Sequence, residues 1–443
     1  MRIILALTLL SALATTPVVA QPVQNAKPVP KDATPTDQPS GPTQTLIKAL
    51  AGSDQPASQA AARQLGVMGL KAIPALVQAA KEKVPSQRLA TAFAEMSPKH
   101  IPALADIIRN DKDERVRQAV AQGLGLMGPA AVSIIVTLAA DEDKYVRLSA
   151  FEALDSMSSD SKIPVPGKAV AVLVAGLKDE ELIIRNFSAG SLGRIGPKTE
   201  AVIPALLTAI ADDIDGRVRA RSAAALERIA RYGGATAKFS PALTKSLAQD
   251  EEPTVRTAAA DALGALRKED AADGVKALAA ALSDKHGPVR ESAAHALYEI
   301  GPPAAAAIPQ LQEVIANDDW PKARWYATGA LGRLGTAAAP AVVTLGKALT
   351  DDNRDVQAAA AQSLSRLGST AEPALESLVG ALQNDQSVVR EHAATSLGNL
   401  GSKAESATEA LTALLDDKSP RVRNAAKFAL SKIQKIQTKK QTN

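Results

Sequence analysis

Residues 288–318 read PVRESAAHALYEIGPPAAAAIPQLQEVIAND. Counted from Arg290, small Ala294 and apolar Leu297 and Ile300 fall at the spacing of one helix face. A second apolar helix follows, opened by Ile308-Pro309. Proline in the first helical turn loses no needed hydrogen bond and presets φ. The stretch therefore holds two helices with an apolar side each, and it ends at Asp318, six residues before the next arginine, Arg324.

The same pattern runs outward in both directions. The reference arginine, or its substitute, recurs at Ser58, Ser86, Arg117, Arg147, Arg185, Arg219, Arg256, Arg290, Arg324, Gln357, Arg390 and Arg423, which makes twelve units; the last five intervals are 34, 34, 33, 33 and 33 residues. A fixed period of this length is the mark of a repeat array. Seven residues after each reference position stands leucine in every unit but the second, which has Phe93, and ten residues after stands another apolar side chain, from Met68 to Ile433. Small residues on the same face, such as Ala121, Ala189, Ala260 and Ala294, let neighbouring helices approach closely. Composition agrees: two Trp, four Tyr and five Phe in 443 residues leave a core of Ala, Leu, Ile and Val, which suits close-packed helices better than a sandwich of strands.

An Arg in the first turn of a helix opposes the helix dipole, so its recurrence demands a partner. Aspartate stands six residues before it in eight units: Asp111, Asp141, Asp179, Asp213, Asp250, Asp284, Asp318 and Asp417. The spacing predicts a ladder of Asp and Arg along the turns, made of exposed pairs that each contribute about 0–1 kcal/mol. Asp113, Asp143, Asp215, Asn353 and Ser419, four residues before the reference position, are the expected helix caps.

The stretch quoted above and its copies resemble HEAT repeats, of the short-unit kind named for phycobilisome lyases. The resemblance covers residues 44–433 and implies an all-α, right-handed α–α superhelix of about twelve helix-turn-helix repeats, a fold that serves mostly as a binding scaffold. Units one and two lack both members of the ladder and resemble caps, and Ser158–Gly167 and Tyr232–Ser240 lengthen two connections. Outside the array, Arg2, the apolar run Ile3 to Leu13 and Val18-Val19-Ala20 read as a signal peptide over residues 1–20. That predicts an exported protein, periplasmic or extracellular. Residues 21–43 hold six prolines and form a linker, and residues 434–443 form a basic polar tail.

Catalytic chemistry finds little support. The absence of cysteine excludes disulfides, thiolate metal ligands and a thiol nucleophile. The glycines of Gly123-Leu124-Gly125-Leu126-Met127-Gly128 follow no strand, so no phosphate loop is expected. His100, His286, His295 and His392 lack the following Glu that iron-binding HEAT-like hydroxylases use. No cofactor, no metal and no catalytic residue are expected, and no segment after the signal is apolar enough to span a membrane. A net charge of +4 gives no push toward nucleic acid. A partner protein, with an acidic surface or a polyanionic glycan as possible targets, suits the basic row Arg194, Arg228, Arg333, Arg366 and Lys432 on the second helices, which Glu95 and Glu299 interrupt. Trp320, Trp325, Tyr326 and Tyr298 gather in two adjacent units of an aromatic-poor chain. Trp325 and Tyr326 occupy positions where other units carry polar residues, so both are expected to face outward. Aromatic residues and arginine dominate interface hot spots. Trp325, Tyr326 and Arg333 form the expected contact patch, with Arg194, Arg228 and Arg366 beside it. The function expected is a non-catalytic scaffold gripping a partner protein on a concave face; the alternatives are a lyase-like or chaperone-like accessory protein and a cell-envelope glycan binder.

Overall fold

The computed structural model describes residues 41–197, 200–232, 239–266 and 272–441. The signal segment and most of the linker lie outside the described residues, as does the middle of the connection after Tyr232; Gly41 already opens the first helix, Gly41–Ala51. Among the described residues there is no strand, and twelve pairs of helices follow one another, from Gly41–Ala51 with Gln55–Met68 to Thr408–Ala413 with Pro420–Gln441. The chain forms the all-α solenoid expected of the repeat. Its last helix runs on to Gln441, through most of the stretch read as a tail.

The periodic apolar positions make one continuous core. Leu65, Leu124, Leu192, Leu263, Leu297, Leu331 and Leu397 are fully buried, as is Phe93. Each such side chain contributes about 1.5–3 kcal/mol by leaving water. Leu430, in the last described unit, is only half-buried. Four of the expected caps are observed: Asp113, Asp143, Asp215 and Asn353 accept backbone N–H bonds in the first turns of their helices. Glycines such as Gly301 (φ 70°) and Gly335 (φ 61°) stop the second helices, because the left-handed region costs a residue with a Cβ.

The ladder exists, but its rungs cross between units. Arg290 donates from Nη1 to the backbone carbonyl of Asp284 in its own turn at 2.9 Å, and from Nε and Nη2 to the carboxylate of Asp318 in the next turn, both at 2.7 Å. The same bracing joins Arg147 to Asp179, Arg185 to Asp213, Arg219 to Asp250, Arg256 to Asp284, Arg324 to Asp351 and Arg390 to Asp417. Each carboxylate also accepts the N–H two residues on, as Asp250 does from Glu252 at 3.0 Å, which shapes its turn. The expectation of exposed pairs within one turn is therefore corrected. Arg256 is 6% exposed, and Arg219 and Arg324 are buried with it. The reason is geometric: an arginine in the first turn of one helix lies under the turn of the next unit, whose side chains exclude water from it. Asp351, which the sequence reading passed over, supplies a rung. At the junction of Gln357 the pair becomes neutral, with Asn384 donating to Gln357 Oε1 at 2.9 Å and Gln357 to the carbonyl of Asp351 at 2.7 Å.

Second helices pack side by side along the whole array, more intimately than the first helices do. The layer that approaches more closely must lie on the inside of the curve, so the second helices form the concave face. Small residues make this approach possible. A Cβ on Gly264 would stand 2.7 Å from Ala296 Cα, and one on Gly193 would stand 2.8 Å from Ala225 Cα.

Candidate functional site

The helices Gly287–Ile300, Pro321–Arg333 and Arg354–Leu367 bring the aromatic residues together. Trp325 and Tyr326 meet in a tilted contact at 4.5 Å between ring centres, with 52° between their planes, Tyr326 meets His295 at 4.6 Å, and Tyr298 lies 6.5 Å from Tyr326. Arg333 covers the outer face of Tyr298, its guanidinium carbon 4.5 Å from the ring centre, an arrangement in which the cation meets the negative face of the ring. Trp325 and Tyr326 open on a cleft of about 470 Å³, shared with Asn353, Asp355, Gln362 and His392. Trp325 is 40% exposed. Tyr326 departs from the expectation that both face outward: it is half-buried against the core, because His295 and Tyr298 of the preceding unit close over it. Burial, followed by the charges of Glu291, Asp261 and Glu299, raises its phenol above the ordinary value. Burial likewise lowers the His392 imidazole, opposed by Glu391 and assisted by Arg366.

Trp320 does not join the cleft. Its indole lies against Gly287, and Nε1 donates to Glu291 at 2.7 Å. Lys322 stands 3.6 Å from the same carboxylate, so this ring braces one turn on its neighbour.

The basic row is not one surface. Arg194 turns to Asp155 and to Ser158, which it reaches at 3.2 Å. Arg228 stands beside it in a cleft that the two line with Arg221 and Arg231, apart from the aromatic one. Arg333 sits by the aromatic cleft within 4.0 Å of Glu299, Arg366 is exposed, and Lys432 lies 5.5 Å from the Phe428 ring centre. Arg221 and Arg231 were missed because only one position per helix was read for charge; reading positions two and twelve after the reference arginine finds them. Toward the N-terminal side of Arg194 the face turns acidic, with Glu152, Asp155 and Asp160 around a cleft of about 710 Å³. Burial, then the charge of Glu114, pushes the Glu152 carboxyl up to about 7. The concave face thus passes from acidic to basic to aromatic along the array.

Among the described residues no group of His, Asp and Glu is arranged to hold a metal ion, and no helix is long and apolar enough to cross a membrane. The glycines of residues 123–128 serve packing, with Gly123 against Phe93 and Gly125 against Ala153.

The family model for HEAT repeats matches residues 101–165, 162–227, 240–332, 308–398 and 377–441. A search of curated proteins finds no match. Among solved structures, the karyopherin Kap95p with RanGDP is similar over 88% of this chain and 61% of its own, at 14% identity and a TM-score of 0.55. The karyopherin Kap121p bound to the SUMO protease Ulp1p is similar over 88% of this chain and 49% of its own, at 16% identity and a TM-score of 0.52. An engineered protein matches over 88% of this chain and 98% of its own, at 22% identity and a TM-score of 0.44. The chain spans about half to three-fifths of the karyopherins' length, and at these identities the likeness is one of fold.

Proposed function

Because the chain belongs to the HEAT-repeat family, we propose that it is an exported, non-catalytic scaffold that grips a partner protein on its concave face, with Trp325, Tyr326 and Arg333 at the centre of contact. One observation carries this reading: a large aromatic side chain, Trp325, stands 40% exposed beside an open cleft on the inner face of the array. Leaving an indole in water forfeits the burial that would otherwise stabilise the fold, and aromatic anchors with arginine beside them recur where interfaces concentrate their energy. Kap95p and Kap121p share the architecture and are described with protein partners. Export rests on the sequence of residues 1–20.

The test is affinity capture from the protein's own cell envelope, followed by mass spectrometry, with wild type and Trp325→Ala. A hot-spot truncation costs about 2 kcal/mol or more, roughly thirtyfold in affinity. Trp325→Ala is expected to lose the partner by that factor and to melt like wild type. Tyr326→Ala is the less clean variant, since this ring is half-buried and its loss also opens the core. Unchanged capture by Trp325→Ala would place the contact elsewhere. A second reading is favoured by the polar groups Asn353, Asp355 and Gln362 around Trp325: a sugar ring could stack on the indole and hydrogen-bond to them. Retention of envelope glycan in place of protein in the same capture would select it.

A further inference from the structure

Between the helices Leu182–Ile195 and Gly216–Arg231 the concave face opens into a cleft of about 560 Å³. Arg194, Arg221, Arg228 and Arg231 line it against a single acid, Glu227. The floor is made of small residues, Gly190, Gly193, Ala224 and Ala225. Two of the four guanidinium groups are engaged: Arg231 holds Glu227 at 2.9 Å, and Arg194 holds Asp155. Arg221 and Arg228 are exposed and have neither a carboxylate partner nor a hydrogen-bond acceptor among the described residues.

Packing holds these two side chains in place. Arg221 lies against Gly190, where a Cβ would come within 2.8 Å of its Nε. The guanidinium carbon of Arg228 stands 5.8 Å from the centre of the Tyr232 ring. Each planar fork is therefore oriented while its N–H groups remain free, the arrangement that accepts a carboxylate through parallel hydrogen bonds. The seven ladder arginines that cross to the next unit each meet an aspartate there; Arg221 and Arg228 meet none among the described residues.

We propose that this cleft docks an acidic stretch of the partner protein, with Asp or Glu side chains paired to Arg221 and Arg228. The proposal rests on the partner-protein reading above and adds the chemistry of the docked segment. The lining, four arginines to one glutamate, repels a basic segment and attracts an acidic one. Seven residues of helix place the two arginines roughly 10 Å apart, the reach of about three residues of extended chain, so carboxylates at that separation meet both.

Purified protein titrated with a fluorescent octaglutamate peptide at low salt tests this. Binding is expected, with octalysine failing to bind. The double variant Arg221→Ala/Arg228→Ala is expected to weaken octaglutamate binding at least tenfold. Gly190→Ala, which keeps every charge but lifts the Arg221 fork from its seat, is expected to weaken it severalfold. Neither change touches a buried pair, so melting temperatures serve as the folding control. Octaglutamate binding that is indifferent to the two arginines, or matched by octalysine, overturns the proposal; so does displacement by inorganic phosphate at lower concentrations than unlabelled octaglutamate, which would mark a site for a small phosphoryl anion. Trp325→Ala separates the two readings. If it abolishes partner capture while octaglutamate does not bind at all, the acidic segment falls and the partner reading stands. If it leaves capture unchanged while octaglutamate binding follows the arginines, the aromatic centre falls and the acidic segment stands.

Discussion

Asp318 has a side chain 3% exposed and is held by two bonds from Arg290 and one from the N–H of Trp320. Removing Arg290 leaves a buried carboxylate with a single donor. Breaking a buried pair from one side costs about 3–5 kcal/mol, whereas the cavity from Leu297→Ala costs about 2–5 kcal/mol. Arg290→Ala is therefore expected to lower the melting temperature about as much as Leu297→Ala, where exposed pairs would have made it nearly silent. The chain also carries its own control. Gln357 and Asn384 show that a neutral pair fits the same place, so Arg290→Gln/Asp318→Asn is expected to recover most of what Arg290→Ala loses. Glu152 presents the opposite case. Its folded carboxyl sits near 7, against an ordinary value of 4.5, so the folded state holds a proton that the unfolded state gives up. Its contribution is complete below about pH 4.5 and is lost as pH rises through 7. Glu152→Gln, which imitates the protonated form, should raise the melting temperature at pH 8 and leave it unchanged at pH 4.

At the scale of the helix, close approach sets the shape. Eight residues after the reference position stand Gly66, Gly125, Gly193, Gly264, Gly332 and Gly398 in alternate units, with Ala94, Asp155, Glu227, Tyr298, Ser365 and Ser431 in the units between. The glycines are where the next second helix presses in, so the junctions alternate between bare contacts and contacts that carry a side chain onto the face. Gly264→Ala ought to stabilise an isolated helix by about 1 kcal/mol. Here its Cβ would stand 2.7 Å from Ala296 Cα, and overpacking costs about 1–3 kcal/mol, so a net loss is expected. Gly380→Ala meets nothing within 4 Å and should raise the melting temperature. This contrast also shows what was legible in the sequence. The apolar face was, because burial repeats at every unit: Leu297 and Ile300 are core as their spacing requires. The junction was not, since an arginine's spacing to its own Asp says nothing of the Asp one unit later that lies beside it in space. The aromatic cleft was half legible: Trp325 faces out as its polar-tolerant position suggests, and Tyr326 does not, because closure by His295 depends on a neighbour. The arginine cleft needed two helices at once, with Arg221 finding its seat on a glycine of the preceding unit.

For the whole molecule, stability is close to a sum of unit and junction terms, so a change made at many junctions accumulates. Seven junctions among the described residues carry a charged rung, and the junction between helices Arg354–Leu367 and Ser387–Leu400 carries the neutral one. Burial alone would raise the Asp250 carboxyl, but the hydrogen bonds from Arg219 and from the Glu252 N–H outweigh it and hold the group below its ordinary value. Arg390, against a smaller effect of burial, holds Asp417 low as well. A carboxylate whose folded pKa is lowered adds stability above its unfolded value, near 4, and loses it as pH falls through the folded value. Burial is outweighed in the same way by Arg256 at Asp284 and by Arg324 at Asp351, and both carboxyls are held low. Acid therefore weakens the junctions of Asp250, Asp284, Asp351 and Asp417 and spares the neutral one. Hydrogen exchange, compared as protection factors at pH 7 and pH 3, should show protection falling in Gly216–Arg231 and Pro253–Gly264, which flank the Arg219–Asp250 rung, and falling less in Arg354–Leu367 and Ser387–Leu400, which flank the neutral one. Because the rungs are buried, 1 M salt at pH 7 should not reproduce the pattern, as screening acts mainly on exposed charges. A loss in these two helices equal to that in Gly216–Arg231 and Pro253–Gly264 would mean that acid acts through surface charge and that the rungs do not govern how the array comes apart.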